Sequence, residues 1–128
     1  MRIEHVNITV ADPDASAAAF GRIFGWRIRW KGPSLHGGYT VHVGADDHYL
    51  AFYTGPDGQH RNARFAKGEP LQHIGIEVED LDAVEERVKA EGFVPENHGD
   101  YDPGRRFYFQ DDNGIEFEVI SYTQTTMP

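Results

Sequence analysis

The feature that most constrains the fold of this 128-residue chain is an internal repeat. Residues 5–10 read His-Val-Asn-Ile-Thr-Val, and residues 73–78, which begin 68 positions later, read His-Ile-Gly-Ile-Glu-Val. In both segments apolar residues occupy alternate positions, which is typical of a β-strand with one buried face. An aspartate, a helix-like segment and a glycine follow each strand, so the pattern predicts two copies of one structural unit.

Each copy is predicted to contain one strand, one helix and three further strands. Asp12 and Pro13 begin the first helix and Gly25 ends it, because aspartate caps a helix N-terminus and glycine tolerates the left-handed conformation after the last turn. Asp80 and Gly92 flank the second helix in the same way. We expect strands at 2–10, 26–30, 39–43 and 48–53, then at 71–78, 93–95, 105–110 and 115–121, with loops at 32–38 and 96–104. The sequence therefore predicts an α+β fold in which two tandem βαβββ modules form a curved mixed sheet, a cup with its helices outside.

A single domain is expected over residues 1–128. Module 1 covers about 1–54, module 2 about 71–122, and a linker rich in glycine, proline and charge joins them at 55–70. The locally basic residues 61–67 of this linker fit a solvated loop better than a contact with an anionic substrate.

Composition excludes several classes of function. Cysteine is absent, so disulfides and thiolate chemistry are excluded and a cytoplasmic location is expected. A net charge of −9 argues against nucleic acid and anionic membranes as partners. No apolar run approaches the ~18 residues that a membrane span needs, and the strand-like N-terminus predicts no signal peptide.

Strand parity predicts where the two repeated histidines point. The apolar residues of each first strand must pack on the helix, so His5 and His73 face the opposite, concave side. The apolar residues of the last strand likewise leave Glu116 and Glu118 on the histidine side. Carboxylates on an inward face are costly unless they are paired or bound to a metal. Two histidines and one carboxylate form a ligand set for a divalent metal with open positions, although the three residues also fit unrelated packing roles.

Taken together, these segments resemble the vicinal oxygen chelate superfamily, which includes glyoxalase I, extradiol dioxygenases, and fosfomycin and bleomycin resistance proteins. The resemblance covers nearly the whole chain and is carried by residues 3–6 with Asp12 and Phe20, by residues 24–26, by residues 73–75 with 80–82, and by residues 111–118. In the family's closing motif a glutamate stands four residues after a glycine. Here Glu118 stands at that spacing from Gly114, so Glu116 is the poorer candidate for a ligand.

The resemblance implies that His5, His73 and Glu118 bind a divalent metal ion such as Fe, Zn, Ni or Mn. Some family members have a fourth ligand at the position of Ala51, which cannot bind metal. This departure weakens a strict glyoxalase I assignment and favours a three-ligand set like that of the dioxygenases or of the epimerase and resistance-type members.

The function implied is that of a metal-dependent enzyme, a lyase or isomerase of the glyoxalase type or a dioxygenase, which chelates two adjacent oxygens of a small substrate. Glu118, Tyr49 and Tyr53 are the candidate catalytic residues, since both tyrosines share the face of the Ala51 position and a phenol can donate a proton. Arg106 and Tyr108 share one face of the seventh strand, but the sequence leaves open which face it is.

Two alternatives remain. A metal-free protein that sequesters a small aromatic or cationic compound is favoured by the acidic charge and by four aromatic residues, Trp26, Trp30, Tyr49 and Tyr53. The second alternative is a purely structural module that forms a dimer. A homodimer is expected in every case, and the sequence leaves open whether the cup forms within one chain or across two.

Overall fold

The structure, a computed structural model, describes residues 1–56, 68 and 70–122. The chain divides into two compact units, unit 1 (Met1–Ala63) and unit 2 (Arg64–Pro128). Each unit has one α-helix and one open four-stranded mixed sheet, so the predicted α+β fold of two βαβββ modules is confirmed. The basic residues 61–67 and most of the predicted linker lie outside the described residues. Within the described ranges, neither helix has the length and apolar character to cross a membrane.

Unit 1 is built around one helix and a sheet in the order β1-β4-β3-β2, in which β1 is parallel to β4 and the other pairs are antiparallel. Its elements are β1 (His5–Thr9), α1 (Pro13–Phe24), β2 (Arg27–Pro33), a short 3₁₀ turn (Leu35–Gly37), β3 (Tyr39–Gly44) and β4 (Tyr49–Thr54).

Helix α1 begins and ends as the sequence predicted. The Asp12 carboxylate accepts a hydrogen bond from the Ala15 N–H, and Gly25 has φ 71°, in the left-handed region. The helix packs on β3 and β4, where the rings of Phe20 and Phe52 meet edge to face at 5.5 Å and both are fully buried. This packing fixes one face of the sheet as the core, and with it the direction of every alternate side chain.

Unit 2 repeats the arrangement, with the sheet order β5-β8-β7-β6 and a parallel β5–β8 pair. Its elements are β5 (Ile74–Glu77), α2 (Leu81–Ala90), β6 (Glu96–Tyr101), β7 (Gly104–Gln110) and β8 (Glu116–Ser121). Phe107, Phe109, Phe117 and Val119 are fully buried and form the core of this unit with the apolar side of α2.

Two of the predicted loops were wrong in part. Strand β6 covers Glu96–Tyr101, where a loop was predicted, and no strand forms at 93–95. Every β6 residue except Gly99 is exposed, so the segment has no apolar alternation to identify it, and it is a strand because it pairs with β7. Strand β2 likewise extends through Pro33 into the loop predicted at 32–38, because its last residues pair with β3.

Candidate functional site

Strand pairing fixes which residues are equivalent in the two units. In unit 1, Asn7 of β1 lies opposite Ala51 of β4; in unit 2, Gly75 of β5 lies opposite Glu118 of β8. The two registers place Ala51 and Glu118 at equivalent positions, as the alignment of the repeats predicted. Unit 1 therefore has a methyl group where unit 2 has a carboxylate.

In unit 2, the side of the sheet that faces away from α2, here called its far face, carries His73 and Glu118. Phe117 and Val119 are buried on the helix side, so the alternate residue Glu118 points to the far face. The His73 Nε2 atom lies 3.4 Å from Glu118 Oε1, and its Nδ1 atom lies 3.6 Å from Glu116 Oε1. The structure thus brings together two of the three predicted metal ligands.

The other oxygen of Glu118 is held by two neighbours from β7. Tyr108 lies directly across from Glu118 and donates its hydroxyl proton to Oε2 at 2.9 Å, and Arg106 Nη1 donates to the same oxygen at 3.1 Å. Burial and then the bond to Glu118 raise the pKa of Tyr108, so this phenol stays protonated as the donor. These contacts show that Arg106 and Tyr108 belong to the far face, which the sequence had left open.

The donor geometry of this pair fits a shared divalent ion. Two ligand atoms bound at about 2.0–2.2 Å with near-octahedral or tetrahedral angles lie about 3 to 3.4 Å apart, and the separation of His73 Nε2 from Glu118 Oε1 is 3.4 Å. No group of three histidine or acidic side chains able to hold an ion occurs within the described residues. An ion held between His73 and Glu118 would therefore need a third ligand.

In unit 1, the far face is the side of the sheet away from α1, and it carries His5. Ile8 is buried while His5, Asn7 and Thr9 are exposed, in agreement with the predicted parity. The His5 Nδ1 atom lies 2.9 Å from Glu4 Oε1. Because a carboxylate only accepts, Nδ1 must carry the proton, and Nε2 of a neutral ring keeps its lone pair for a metal. This hydrogen bond is the largest cause of the lowered pKa of Glu4.

A series of rings extends across the far face of unit 1 from β1 to β2. Tyr49 stacks on His5 at 4.8 Å and on His42 at 4.5 Å between ring centroids, and His42 in turn contacts Trp30 at 5.1 Å. The Arg29 guanidinium carbon lies 4.4 Å from the centre of the Tyr49 ring. Burial, followed by the charges of His5 and Arg29, lowers the pKa of His42, so this imidazole is mostly neutral at pH 7.

The two candidate catalytic tyrosines have different hydrogen-bond partners. Tyr49 donates to Glu4 Oε1 over a long 3.4 Å, and burial followed by the charge of Glu4 raises its pKa. Tyr53 donates to the main-chain carbonyl of Leu35 at 2.9 Å and so secures the short turn after β2. The Tyr49 hydroxyl therefore makes the longer of the two hydrogen bonds.

One predicted lining residue lies elsewhere, and two site residues were not predicted. Trp26 packs on Phe24 at 4.9 Å, next to the helix, so its inclusion with the aromatic lining was wrong. Glu4 and Arg29 were missed: Glu4 could have been suspected from its place beside His5, but nothing local marks Arg29. A β-bulge between Ile28 and Trp30 turns Arg29 onto Tyr49, and strict alternation does not foresee a bulge.

The comparison with known families agrees with this fold. Residues 2–119 match the sequence model of the Glyoxalase/Bleomycin resistance protein/Dioxygenase superfamily, and the chain therefore belongs to this superfamily. No curated protein matches the chain.

Solved structures with the same fold are numerous. A glyoxylase/bleomycin resistance protein/dioxygenase domain from Frankia sp. EAN1pec is 23% identical with a TM-score of 0.79, over 94% of this chain and 97% of that one. The antibiotic binding protein TnmS3 from Streptomyces sp. CB03234 is 16% identical with a TM-score of 0.72, over 94% and 95%. A variant of the fosfomycin resistance protein FosX from Listeria monocytogenes, complexed with Mn(II) and 1S,2S-dihydroxypropylphosphonic acid, is 20% identical with a TM-score of 0.70, over 98% and 91%. At these identities the likeness shows the fold alone.

Proposed function

We propose that the protein is a divalent-metal-dependent enzyme of the vicinal oxygen chelate type, with His5, His73 and Glu118 as the metal ligands. The observation that carries the proposal is the 3.4 Å separation of His73 Nε2 and Glu118 Oε1, which suits two ligands of one ion. The Mn(II) complex of FosX supports a divalent ion in a protein of this fold. The third ligand, His5, comes either from unit 1 of the same chain or from that of a second copy in a homodimer.

Residues of the chain prepare this site in two ways. Arg106 and Tyr108 occupy one oxygen of Glu118, which leaves the other directed at His73. Glu4 holds the Nδ1 proton of His5, which leaves Nε2 as the ligand atom. When bound, the metal supplies Lewis-acid chemistry to two adjacent oxygens of a small substrate.

Proton transfer is assigned to the tyrosines of β4. Tyr49 stacks on His5 and, like any phenol, keeps its proton at neutral pH, so it is the proposed proton donor to the substrate. Tyr53 takes part only if it leaves the Leu35 carbonyl. The reaction class, a lyase or isomerase step or a dioxygenation, follows from which oxygenated substrate the enzyme accepts.

Metal titration tests the proposal. The protein is purified without chelators, analysed for its elements, and titrated calorimetrically with Mn²⁺, Zn²⁺, Ni²⁺ and, without oxygen, Fe²⁺. We expect one ion to bind per assembled site, and His73→Ala to abolish binding. His98→Ala is the matched control, because His98 is an exposed imidazole of unit 2 that pairs with Glu85 at 2.7 Å. Binding that survives His73→Ala, or wild-type protein that binds none of the four ions, would contradict the proposal.

A second candidate function is metal-free binding of a small aromatic compound. The ring series His5, Tyr49, His42 and Trp30 favours it, since successive π-faces on one sheet suit a planar ligand. The likeness to the antibiotic binding protein TnmS3 is in accord with such a role. Ligand affinity that persists in EDTA and in His73→Ala selects this function over the enzymatic one.

A further inference from the structure

The β-bulge of β2 creates an unusual environment for Arg29. In the register of β2 with β3, Ile28 pairs with Val43 and Trp30 with His42, so Arg29 is the extra residue. The extra residue of a bulge lacks a cross-strand partner, and its side chain is re-aimed. Here the guanidinium is turned over the Tyr49 ring, on the face that carries His5.

One nitrogen of the Arg29 guanidinium also lacks an acceptor among the described residues. Its Nη1 atom is buried and makes no hydrogen bond, and no carboxylate of the described residues pairs with it. A guanidinium without a carboxylate partner can form charge-assisted hydrogen bonds to an incoming oxyanion through its other N–H groups. The nearby carboxylate of Glu4 is already bonded to His5 and Tyr49.

Three other arginines of the two sheets each have a carboxylate partner, although the buried Nε atom of Arg106 also makes no hydrogen bond. Arg27 pairs with Asp46 at 2.7 Å, Arg105 with Asp82 at 2.9 Å, and Arg106 with Glu118 at 3.1 Å. At the position equivalent to Glu118, unit 1 has Ala51, so its far face lacks the carboxylate that neutralises the arginine of unit 2. Arg29 is thus a cation on a face whose nearby carboxylate, Glu4, is hydrogen-bonded to His5 and Tyr49.

An apolar surface lies next to this cation. Trp30 is 46% exposed, and its indole lies over Gly32, where an added Cβ would come within 3.1 Å of the ring. The residue therefore presents indole surface to solvent beside His42. A ligand whose acidic group reaches Arg29 can place a flat or apolar portion on this indole.

We infer that Arg29 is an anion-binding residue, and that the natural ligand is a small organic oxyanion, a carboxylate or phosphonate, with a flat or apolar portion that contacts Trp30. This inference rests on the proposed function where it identifies that ligand as the substrate. The binding site itself lies in unit 1 and needs no metal.

Calorimetric titration in EDTA tests the inference with three probes of similar shape: phenylphosphonate, benzoate and the neutral benzamide. We expect the wild type to bind one or both acids more tightly than benzamide, and Arg29→Met to weaken acid binding by about 10- to 100-fold, as for a lost charge-assisted hydrogen bond. Arg29→Lys should retain part of the affinity. The two acids separate a carboxylate site from a phosphonate site.

Arg27→Met is the matched control, because Arg27 belongs to the same strand and carries the same charge but is already paired with Asp46. It should leave all three affinities unchanged. Equal binding of benzamide and the acids, equal weakening of all probes by Arg29→Met, or no binding at concentrations on the order of 10 mM would overturn the inference. Thermal melts of the Arg29 variants exclude a loss of fold as the cause.

The same variants separate this inference from the proposed function. If Arg29→Met keeps wild-type metal affinity and loses acid binding, both stand. If acid binding depends on Arg29 but no metal binds, the Arg29 site stands and the metal-dependent enzyme does not.

Discussion

Two adjacent arginines of β7 make ion pairs of similar length but of different burial. Arg106 Nη1 lies 3.1 Å from Glu118 Oε2, and the two side chains are 11% and 13% exposed. Arg105 Nη2 lies 2.9 Å from Asp82 Oδ1, and these side chains are 30% and 67% exposed. By distance alone, the Arg105–Asp82 pair would be expected to stabilise the fold more than the Arg106–Glu118 pair. Burial reverses the order, because water screens the exposed pair and because loss of Arg106 leaves the Glu118 charge in a poorly solvated place.

We expect Arg106→Met to lower the free energy of unfolding by about 2–3 kcal/mol, and Arg105→Met to lower it by less than about 1 kcal/mol. The first value falls below the roughly 3–5 kcal/mol of a fully buried pair, because Tyr108 still donates to Glu118 Oε2. A double-mutant cycle of Arg106→Met with Glu118→Gln should give a coupling energy of about 1–2 kcal/mol.

Urea unfolding at pH 7 in metal-free buffer measures these values. Chelation matters because an ion bound to Glu118 would stabilise the folded state and mask the loss. The unfolding free energy of every variant should fall with urea concentration at the same slope, which shows that the variants expose the same surface on unfolding. An Arg105→Met effect as large as that of Arg106→Met, or a coupling energy near zero, would refute the reasoning from burial.

Three further predictions concern turns and pH. Asp111→Ala should cost about 2 kcal/mol in the same urea assay, because the buried carboxylate accepts hydrogen bonds from the main-chain N–H groups of Asn113 and Ile115; Asp111→Asn, which keeps an oxygen acceptor, should cost less. Burial raises the pKa of Asp111 despite these bonds. The contribution of this shift to the free energy of unfolding is therefore largest below the unfolded pKa of about 3.9 and is lost as the pH rises through the folded pKa. Unfolding curves measured over a pH series should show this decline in the wild type and not in Asp111→Asn. Gly25→Ala should cost about 1–2 kcal/mol in thermal or urea unfolding, because the residue has φ 71°, and an unchanged stability would contradict that conformational reason.

Much of the fold follows from local sequence. Helix α1 could be placed correctly because Asp12 and Gly25 have short-range preferences that do not depend on the rest of the chain. The repeat then supplied the second module, and the period of two along each strand placed His5 and Glu118 on the faces away from the helices.

Two features depend on strand pairing and could not be predicted from the local sequence pattern. Strand β6 is polar and exposed, so no hydrophobic periodicity marks it in the sequence. It is a strand because its main chain pairs with that of β7. The bulge at Arg29 is a mismatch between two strands, and a mismatch is a property of the pair that neither sequence has alone.

Strand pairing also explains which parts of the candidate site could be predicted from the sequence. Strand parity gave the face on which the candidate ligand residues lie, since it requires only that apolar neighbours be buried. The contacts of Arg106 and Tyr108 with Glu118, and of Arg29 with Tyr49, depend on cross-strand register and on side-chain length. Sequence by itself therefore determined which chemical groups face away from each helix, and only the tertiary structure decided which charge each group meets, because pairing brings together residues that are distant along the chain.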